Sequence, residues 1–551
     1  VIDYNKRIAA LGAERKLAAA LATFDELVLS RMSPTIVSYN VIIYACIRCG
    51  NLAKAQDLFR CLTEEEKHLK PTVVTYTTLL KGLCQAGLMT DASRLLDGMS
   101  RAGATPNLRT ANMFLRGCLW YGRPDEAYSC YTRLKEWSLT PDRVAVDYTV
   151  RLLCSALRTK QALGLLEGAP SYTKGEPSGL VALATACALS GKVNRARRLL
   201  ADAEEALRAA ADDDGSSRLY VDRDSEAARS ANVATFLKHQ ATELLLDCAR
   251  VQTFIDGVSG DAAPAKRRRV AAAGAGVDAG GEEDEGDDGE EGEGDGSKRA
   301  GGLDTLGLGV LLRHRRAIDA GLRDTVSSAL TKMLTKDSPP RLRWSRMFAD
   351  DTRRPLMLEV CSGAGDWVLR QAQAHPEANW VATELRHHRC AALFSRTALE
   401  RVPNLGLLVG DAGPILHHHI KPRSVSHVYV NFPEPPSARD DDSGDSESTT
   451  AGLLTPGFFR HVATVLPPSG MLTIVTDNAP YAKHLAGMVG AGGAFESCLP
   501  EGVPMLCDGV AKGFPDGHVP EGTGSGGGSY FDRLWVGRSK TTRFHLAYRR
   551  L

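Results

Sequence analysis

A unit of about 35 residues recurs through the first 211 residues, and this period limits the fold more than any other feature of the chain. Pro34, Pro71, Pro106 and Pro141 mark its boundaries, at spacings of 37, 35 and 35 residues. Three copies correspond: VSYNVIIYACIRCGNLAKAQDLF (37–59), VTYTTLLKGLCQAGLMTDASRLL (74–96) and RTANMFLRGCLWYGRPDEAYSCY (109–131). Each reads as an amphipathic helix, a glycine turn and a second amphipathic helix, with Gly50, Gly87 and Gly122 at matching places. The prolines close the units, because proline cannot continue a helix. One such hairpin cannot bury its apolar face alone, so the copies must stack as an α-solenoid of helical hairpins. Weaker copies begin near Val1, Arg143 and Pro177, which gives about six repeats over residues 1–211.

The cysteines follow the same period. Cys46, Cys84, Cys118, Cys154 and Cys187 each fall in an apolar helical stretch. That placement predicts a small repeated core position, where cysteine behaves as a small hydrophobe. Cys46 and Cys49 form a lone C-x-x-C with no second pair near it, so packing is expected there and not a metal. His417, His418 and His419 are adjacent in sequence, point different ways on a helix and are read as a helix end. No metal site is expected. No apolar run reaches about 18 residues, so no membrane span is expected. The chain starts at Val1, so the lack of a visible targeting peptide does not indicate a compartment.

The consensus V-x-Y-N/T … G … A … L-F … P resembles the pentatricopeptide repeat more closely than the tetratricopeptide repeat, which has a similar period and binds peptides. The resemblance covers roughly residues 1–211. It implies binding of single-stranded RNA, one base per repeat. Charge agrees, since residues 1–176 hold 23 Lys and Arg against 17 Asp and Glu. In that family the fifth residue of a unit and the unit's last residue choose the base. Here the pairs are Thr77 with Asn107, implying adenine, and Asn112 with Asp142, implying uracil; Asn40 with Thr72 is less informative. The resemblance also favours a plastid or mitochondrion, with the nucleus as a further option.

Residues 212–300 form a second region. EAARSANVATFLKHQATELLLDCARVQTFI (226–255) reads as helix. Beyond it lie the basic run Lys266–Arg269 and ten acidic residues between Glu282 and Asp295. Such a segment cannot bury enough apolar surface to fold. It is expected to tether its neighbours without positioning them.

Residues 301–551 alternate strand and helix. PLMLEV (355–360), NWVATE (379–384), NLGLLVGD (404–411), SVSHVYVNF (424–432) and GMLTIVTD (470–477) predict five strands of an α/β doubly wound, Rossmann-like domain. Ligands of such sheets lie beyond the strand C-termini. Glu359, Glu384, Asp411, Glu434 and Asp477 all fall at that edge. The first strand runs into Cys-Ser-Gly-Ala-Gly-Asp (361–366), where glycines admit a ligand close to the backbone. Glu384, at the end of the next strand, suits ribose hydroxyls. This pattern fits NAD as well as a methyl donor. Two features oppose NAD: the full G-x-G-x-x-G is absent, and Asp411-Ala412 ends the third strand like the adenine-contacting acid of a methyltransferase.

LEVCSGAGDW, VATELR, NLGLLVGDA, VNFPEPP, TPGFFRHVATVLPPSGMLTIVTDNAPYA and the late TTRF occur in that order. The series resembles the bacterial-type tRNA (guanine-N7) methyltransferases over roughly residues 340–551. It implies a class I methyltransferase domain in which Glu359, Gly363, Gly365, Glu384, Asp411 and Ala412 surround S-adenosylmethionine. Glu434 would be the catalytic-loop carboxylate. Asp477 and Thr542 to His545 would meet the guanine nucleotide of tRNA. The chain departs from the family at Cys361, where a glycine is usual, at Glu434 for aspartate, and at His545 for glutamate. Residues 437–450 carry five acids and one arginine where the family is basic. The solenoid would then supply RNA affinity that the catalytic domain lacks. An inactive domain on an RNA-binding protein, or methylation of another RNA, are the alternatives.

Overall fold

The computed structural model describes residues 1–30, 32–66, 68–170, 176–212, 244–256, 335, 341–348, 354–433, 435, 453–518 and 542–551. Six helical hairpins come first. They pair α1 (Ile2–Ala13) with α2 (Leu17–Leu29), α3 (Ile36–Arg48) with α4 (Leu52–Glu64), and α5 (Val73–Ala86) with α6 (Met89–Arg101). Then follow α7 (Leu108–Tyr121) with α8 (Pro124–Arg133), α9 (Arg143–Ser155) with α10 (Thr159–Gly168), and α11 (Pro177–Leu189) with α12 (Val193–Asp212).

Local chemistry sets these ends. Thr35, Asn107 and Asp142 accept hydrogen bonds from the backbone N–H groups three residues on, as helix-capping side chains do. Gly87 and Gly122 close α5 and α7 in the left-handed conformation. The repeated cysteines are all buried, as the period requires. Successive first helices pack on one another, so Ile42, Leu79, Phe114 and Leu152 share one continuous core.

The second domain is built on a sheet of order β3-β2-β1-β4-β5-β9-β8-β7, with β6 also on β9. Its strands are β1 (Leu356–Val360), β2 (Asn379–Glu384), β3 (Leu405–Val409), β4 (His427–Asn431), β5 (Met471–Thr476), β6 (Phe495–Ser497), β7 (Met505–Cys507), β8 (Val510–Lys512) and β9 (Phe544–Arg550). The first five are parallel and match the five expected strands. β9 runs antiparallel against β5. The dinucleotide order 3-2-1-4-5-6 has a parallel strand at that place, so this topology weighs against the NAD alternative. The three-residue strands β6 to β8 are too short to show a period in sequence.

Of the expected helix over 226–255, only 244–256 lies among the described residues, and it is helical. The low-complexity segment lies outside them. Helix 244–256 corrects the expectation of an unpositioned tether. Cys248, Val251 and Ile255 are buried in one cluster with Leu200 and Leu207 of α12 and with Leu399 of the second domain. The helix His387–Glu400 packs against α7, α9 and α11. Arg386 lies 4.3 Å from the centre of the Trp120 ring and donates to the Tyr121 hydroxyl at 3.2 Å. Arg250 donates to Glu400 at 2.5 Å. Hydrophobic periodicity does not report such a seam, because single arginines and glutamates make it. A cavity of about 500 Å³ lies within it, lined in part by Leu119, Cys154, Ala186, His388 and Phe394. Among the described residues, no helix is long and apolar enough to cross a membrane.

Candidate functional site

Parallel strands place their C-terminal ends together, and two buried polar side chains meet there. Glu359 on β1 is 2% exposed and Asn431 on β4 is 5% exposed. Asn431 Nδ2 donates to Glu359 Oε1 at 2.8 Å. Glu359 Oε2 and Asn431 Oδ1 have no partner. A buried oxygen left without a donor costs free energy, so the pair has two acceptors available to N–H groups of a ligand. Asn431 was not anticipated from sequence, though it stands two residues before Pro433 in VNFPE.

The loop after β1 closes the floor. Cys361, Gly363 and Gly365 are all left-handed, with φ of 63°, 59° and 80°. Cys361 therefore keeps the turn that glycine would make, and it is exposed. At Gly363 a Cβ would meet nothing within 4 Å, so the chain is open on that side. At Gly365 a Cβ would stand 2.8 Å from Leu393 Cγ and closer still to Cδ1. The loop is thus pressed on one side and vacant on the other. Glu384, at the end of β2, accepts from Gly363 N at 2.8 Å and from Leu385 N and Arg386 N at 2.9 Å each. It pins the loop from the end of β2. Asp411 caps the helix Ala412–His418 and is itself exposed, while Ala412 is buried. These residues form one cradle that fits S-adenosylmethionine: two orphaned acceptors, an open glycine and two acids beyond the strand ends.

The expected substrate residues are less gathered. Glu434 lies outside the described residues, as do 437–450. Asp477 follows β5 and is exposed. Thr542 is exposed before β9. His545 departs from the expected substrate-facing place: it is 3% exposed within β9, where its Nδ1 pairs with the Gly513 carbonyl at 2.9 Å. Arg543, which the TTRF motif contains but which was given no separate role, lies 5.6 Å from the centre of the Phe432 ring. That puts a cation against the end of β4. Among the described residues, no group of three or more His, Cys, Asp or Glu side chains could hold a metal.

The solenoid presents a second site. Asn112 Nδ2 donates to Asp142 Oδ2 at 2.8 Å, so that reading pair is brought together directly. Thr77 reaches Asn107 through Thr110, with hydroxyl contacts of 2.8 and 3.0 Å. Asn40 and Asn112 each keep an unpartnered Oδ1, and so does Asn5 at the same place in α1. Sequence reading missed Asn5, although the period assigns it. The row ends at Asp147, which is buried and bonded to Ser178 and Arg151. Four polar positions of the row, Asn5, Asn40, Thr77 and Asn112, are half-buried.

Burial pushes the Glu359 carboxyl up to about 7, against the hydrogen bonds from Asn431 and Ser362. Its proton is held more tightly folded than unfolded, so Glu359 lowers stability as pH rises from about 4.5 through 7. Glu359→Gln is expected to raise the melting temperature of the ligand-free chain at pH 8 and leave it nearly unchanged at pH 4. The gain approaches about 3 kcal/mol above pH 7. Thermal melts across that range check it, and a gain independent of pH contradicts it.

Residues 353–502 match a family described as a putative methyltransferase. Residues 1–48 match the pentatricopeptide repeat domain, and 37–66 and 67–100 match the PPR repeat. The tRNA (guanine-N(7)-)-methyltransferase of Chlamydia caviae is 30% identical over 198 residues, spanning 36% of this chain and 75% of that protein. Its counterpart in Alkalilimnicola ehrlichii is 31% identical over 140 residues, spanning 25% and 56%. Among solved structures, the PPR domain of Arabidopsis thaliana protein-only RNase P 1 in complex with tRNA is 18% identical. The match covers 29% of this chain and 84% of that one, at a TM-score of 0.27.

Proposed function

The chain belongs to the tRNA (guanine-N7)-methyltransferase family, and on that premise we propose that it methylates guanine N7 in tRNA bound in part by its pentatricopeptide repeats. The observation that carries the reading is the cradle at the end of β1, β2 and β4, with Glu359 Oε2 and Asn431 Oδ1 left to receive a ligand.

S-adenosylmethionine supplies a methyl carbon on a sulfonium, which the N7 lone pair takes while the C–S electron pair returns to sulfur. Guanine N7 is already an acceptor, so the protein need not remove a proton first. Its tasks are alignment and charge. Glu359 and Asn431 accept N–H donors of the bound cofactor. Glu384 holds the 361–366 loop in place through Gly363 N, and Asp411 with Ala412 borders the adenine end. The purine gains positive charge in the transfer, so a carboxylate at Glu434 would favour the product-like state. Arg543 and Asp477, at the ends of β9 and β5, border the nucleotide.

Methyl transfer from labelled S-adenosylmethionine to total RNA, followed by nucleoside analysis, tests the proposal. N7-methylguanosine in tRNA is expected. A different methylated nucleoside, or none, overturns it. The solenoid has its own test. Exchanging Asn112 and Asp142 together is expected to shift preference at a single base of a bound RNA, by about tenfold, because the amide donor and the carboxylate that orients it change places. Binding to RNAs varied one base at a time checks this, and an unchanged profile contradicts the reading pair.

A further inference from the structure

The cofactor loop is held from a place outside the methyltransferase domain. Arg396, on the helix His387–Glu400, is 5% exposed. Its Nη1 donates inward, to Asp366 Oδ1 at 2.8 Å and to the Ala364 carbonyl at 3.4 Å. Those residues flank Gly365. Its Nε and Nη2 donate outward, to Asp247 Oδ1 at 3.0 Å and Oδ2 at 3.3 Å. Asp247 belongs to helix 244–256, which follows the repeats and packs on α12. Arg250 donates to the same Asp247 at 2.7 Å.

We propose that Asp247 is a positioning residue for the methyl-donor site, acting through Arg396 on the loop of Ala364, Gly365 and Asp366. A buried guanidinium keeps its place only while its charge is paired and its donors are used. The fork divides its donors between the loop and Asp247, so neither side fixes it alone. Without Asp247, Arg396 loses two charge-assisted hydrogen bonds and turns toward water to recover them. Nη1 then leaves Asp366 and Ala364, and the loop loses its outer support. Leu393, on the same helix, presses the loop at Gly365, so a shift of this helix moves both contacts together. Arg386 on Trp120 holds the seam without touching Asp247, and Arg250 bridges Asp247 to Glu400. The segment after the repeats thus contributes to the affinity for S-adenosylmethionine as well as joining two domains. This inference rests on the loop being the donor's site, as proposed above.

The test uses the full chain and calorimetry with S-adenosylmethionine, so it does not depend on which RNA is methylated. Asp247→Ala is expected to weaken donor binding about tenfold, the loss of a charge-assisted hydrogen bond's net contribution. Donor KM should rise with little change in kcat. Asp247→Glu should restore most of the affinity. Glu400→Gln breaks the neighbouring pair with Arg250 and should leave donor affinity unchanged. If the alanine variant fails to fold, Asp247→Asn keeps the shape and carries the comparison. Equal binding by wild type and the Asp247 variants overturns the inference, and so does an equal loss in Glu400→Gln, which would mean that any loosening of the seam suffices. A wild-type chain that does not bind the donor overturns the functional reading as well, and is distinct from both.

Discussion

A Gly365→Ala chain is expected to bind S-adenosylmethionine about 10²-fold more weakly than the wild type. Two costs add at this position. A left-handed backbone with a Cβ costs roughly 1–2 kcal/mol. The new methyl also collides with Leu393, which is fully buried, and overpacking of this kind costs about 1–3 kcal/mol. Moving the loop relieves both, and the cradle is lost with it. About 3 kcal/mol corresponds to roughly 10²-fold in affinity. Gly363→Ala is the matched comparison. Its φ is also positive, but its Cβ would meet no atom within 4 Å. It should cost the ligand-free chain only the backbone strain, so its melting temperature should fall less. Equal melting temperatures and equal donor affinities in the two variants would contradict this account of the loop.

Glu434→Gln is expected to lower the rate of methyl transfer by on the order of 10²-fold or more, the usual loss when a preorganised charge is removed from a transition state. Donor affinity should stay near the wild-type value, since the cradle residues are untouched. Glu434→Asp restores the residue usual in the family and should be tolerated. Single-turnover rates with saturating donor and tRNA separate the two effects. A glutamine variant as fast as the wild type would move the catalytic charge elsewhere, with Asp477 the first candidate.

The parts that repeat or alternate were legible in the sequence. Hairpin boundaries followed from prolines and glycines, and the five parallel strands from apolar runs, because both doubly buried strands and stacked hairpins demand continuous patterns. The acids at the sheet's C-terminal edge were legible for the same reason: Glu359, Glu384 and Asp411 lie at or just past the ends of those runs. What escaped was set by single contacts between distant segments. Asn431 reads as an ordinary strand-end residue until it is seen against Glu359. His545 looks like a substrate contact by its place in the motif, and only the pairing of β9 with β8 shows it buried. Helix 244–256 has the composition of a linker's edge, and its role comes from Asp247 and Arg250 meeting Arg396 and Glu400 across some 150 residues of sequence.

The position of β9 also sets an order of events during synthesis. β9 fills the slot between β5 and β8, with Met471 opposite Arg549, yet it is made after all the other strands. The hairpins depend on near neighbours and can form as they leave the ribosome, whereas a sheet that waits for a distant strand forms late. For an interval the nascent chain is therefore an RNA binder with an open β5 edge, a surface prone to pair with other chains. A ribosome halted before Phe544 would release a product that occupies the RNA through its repeats and lacks the strand that completes the catalytic sheet. Such fragments would compete with the folded enzyme for its own substrate, so reaching β9 during synthesis protects the activity of molecules already made.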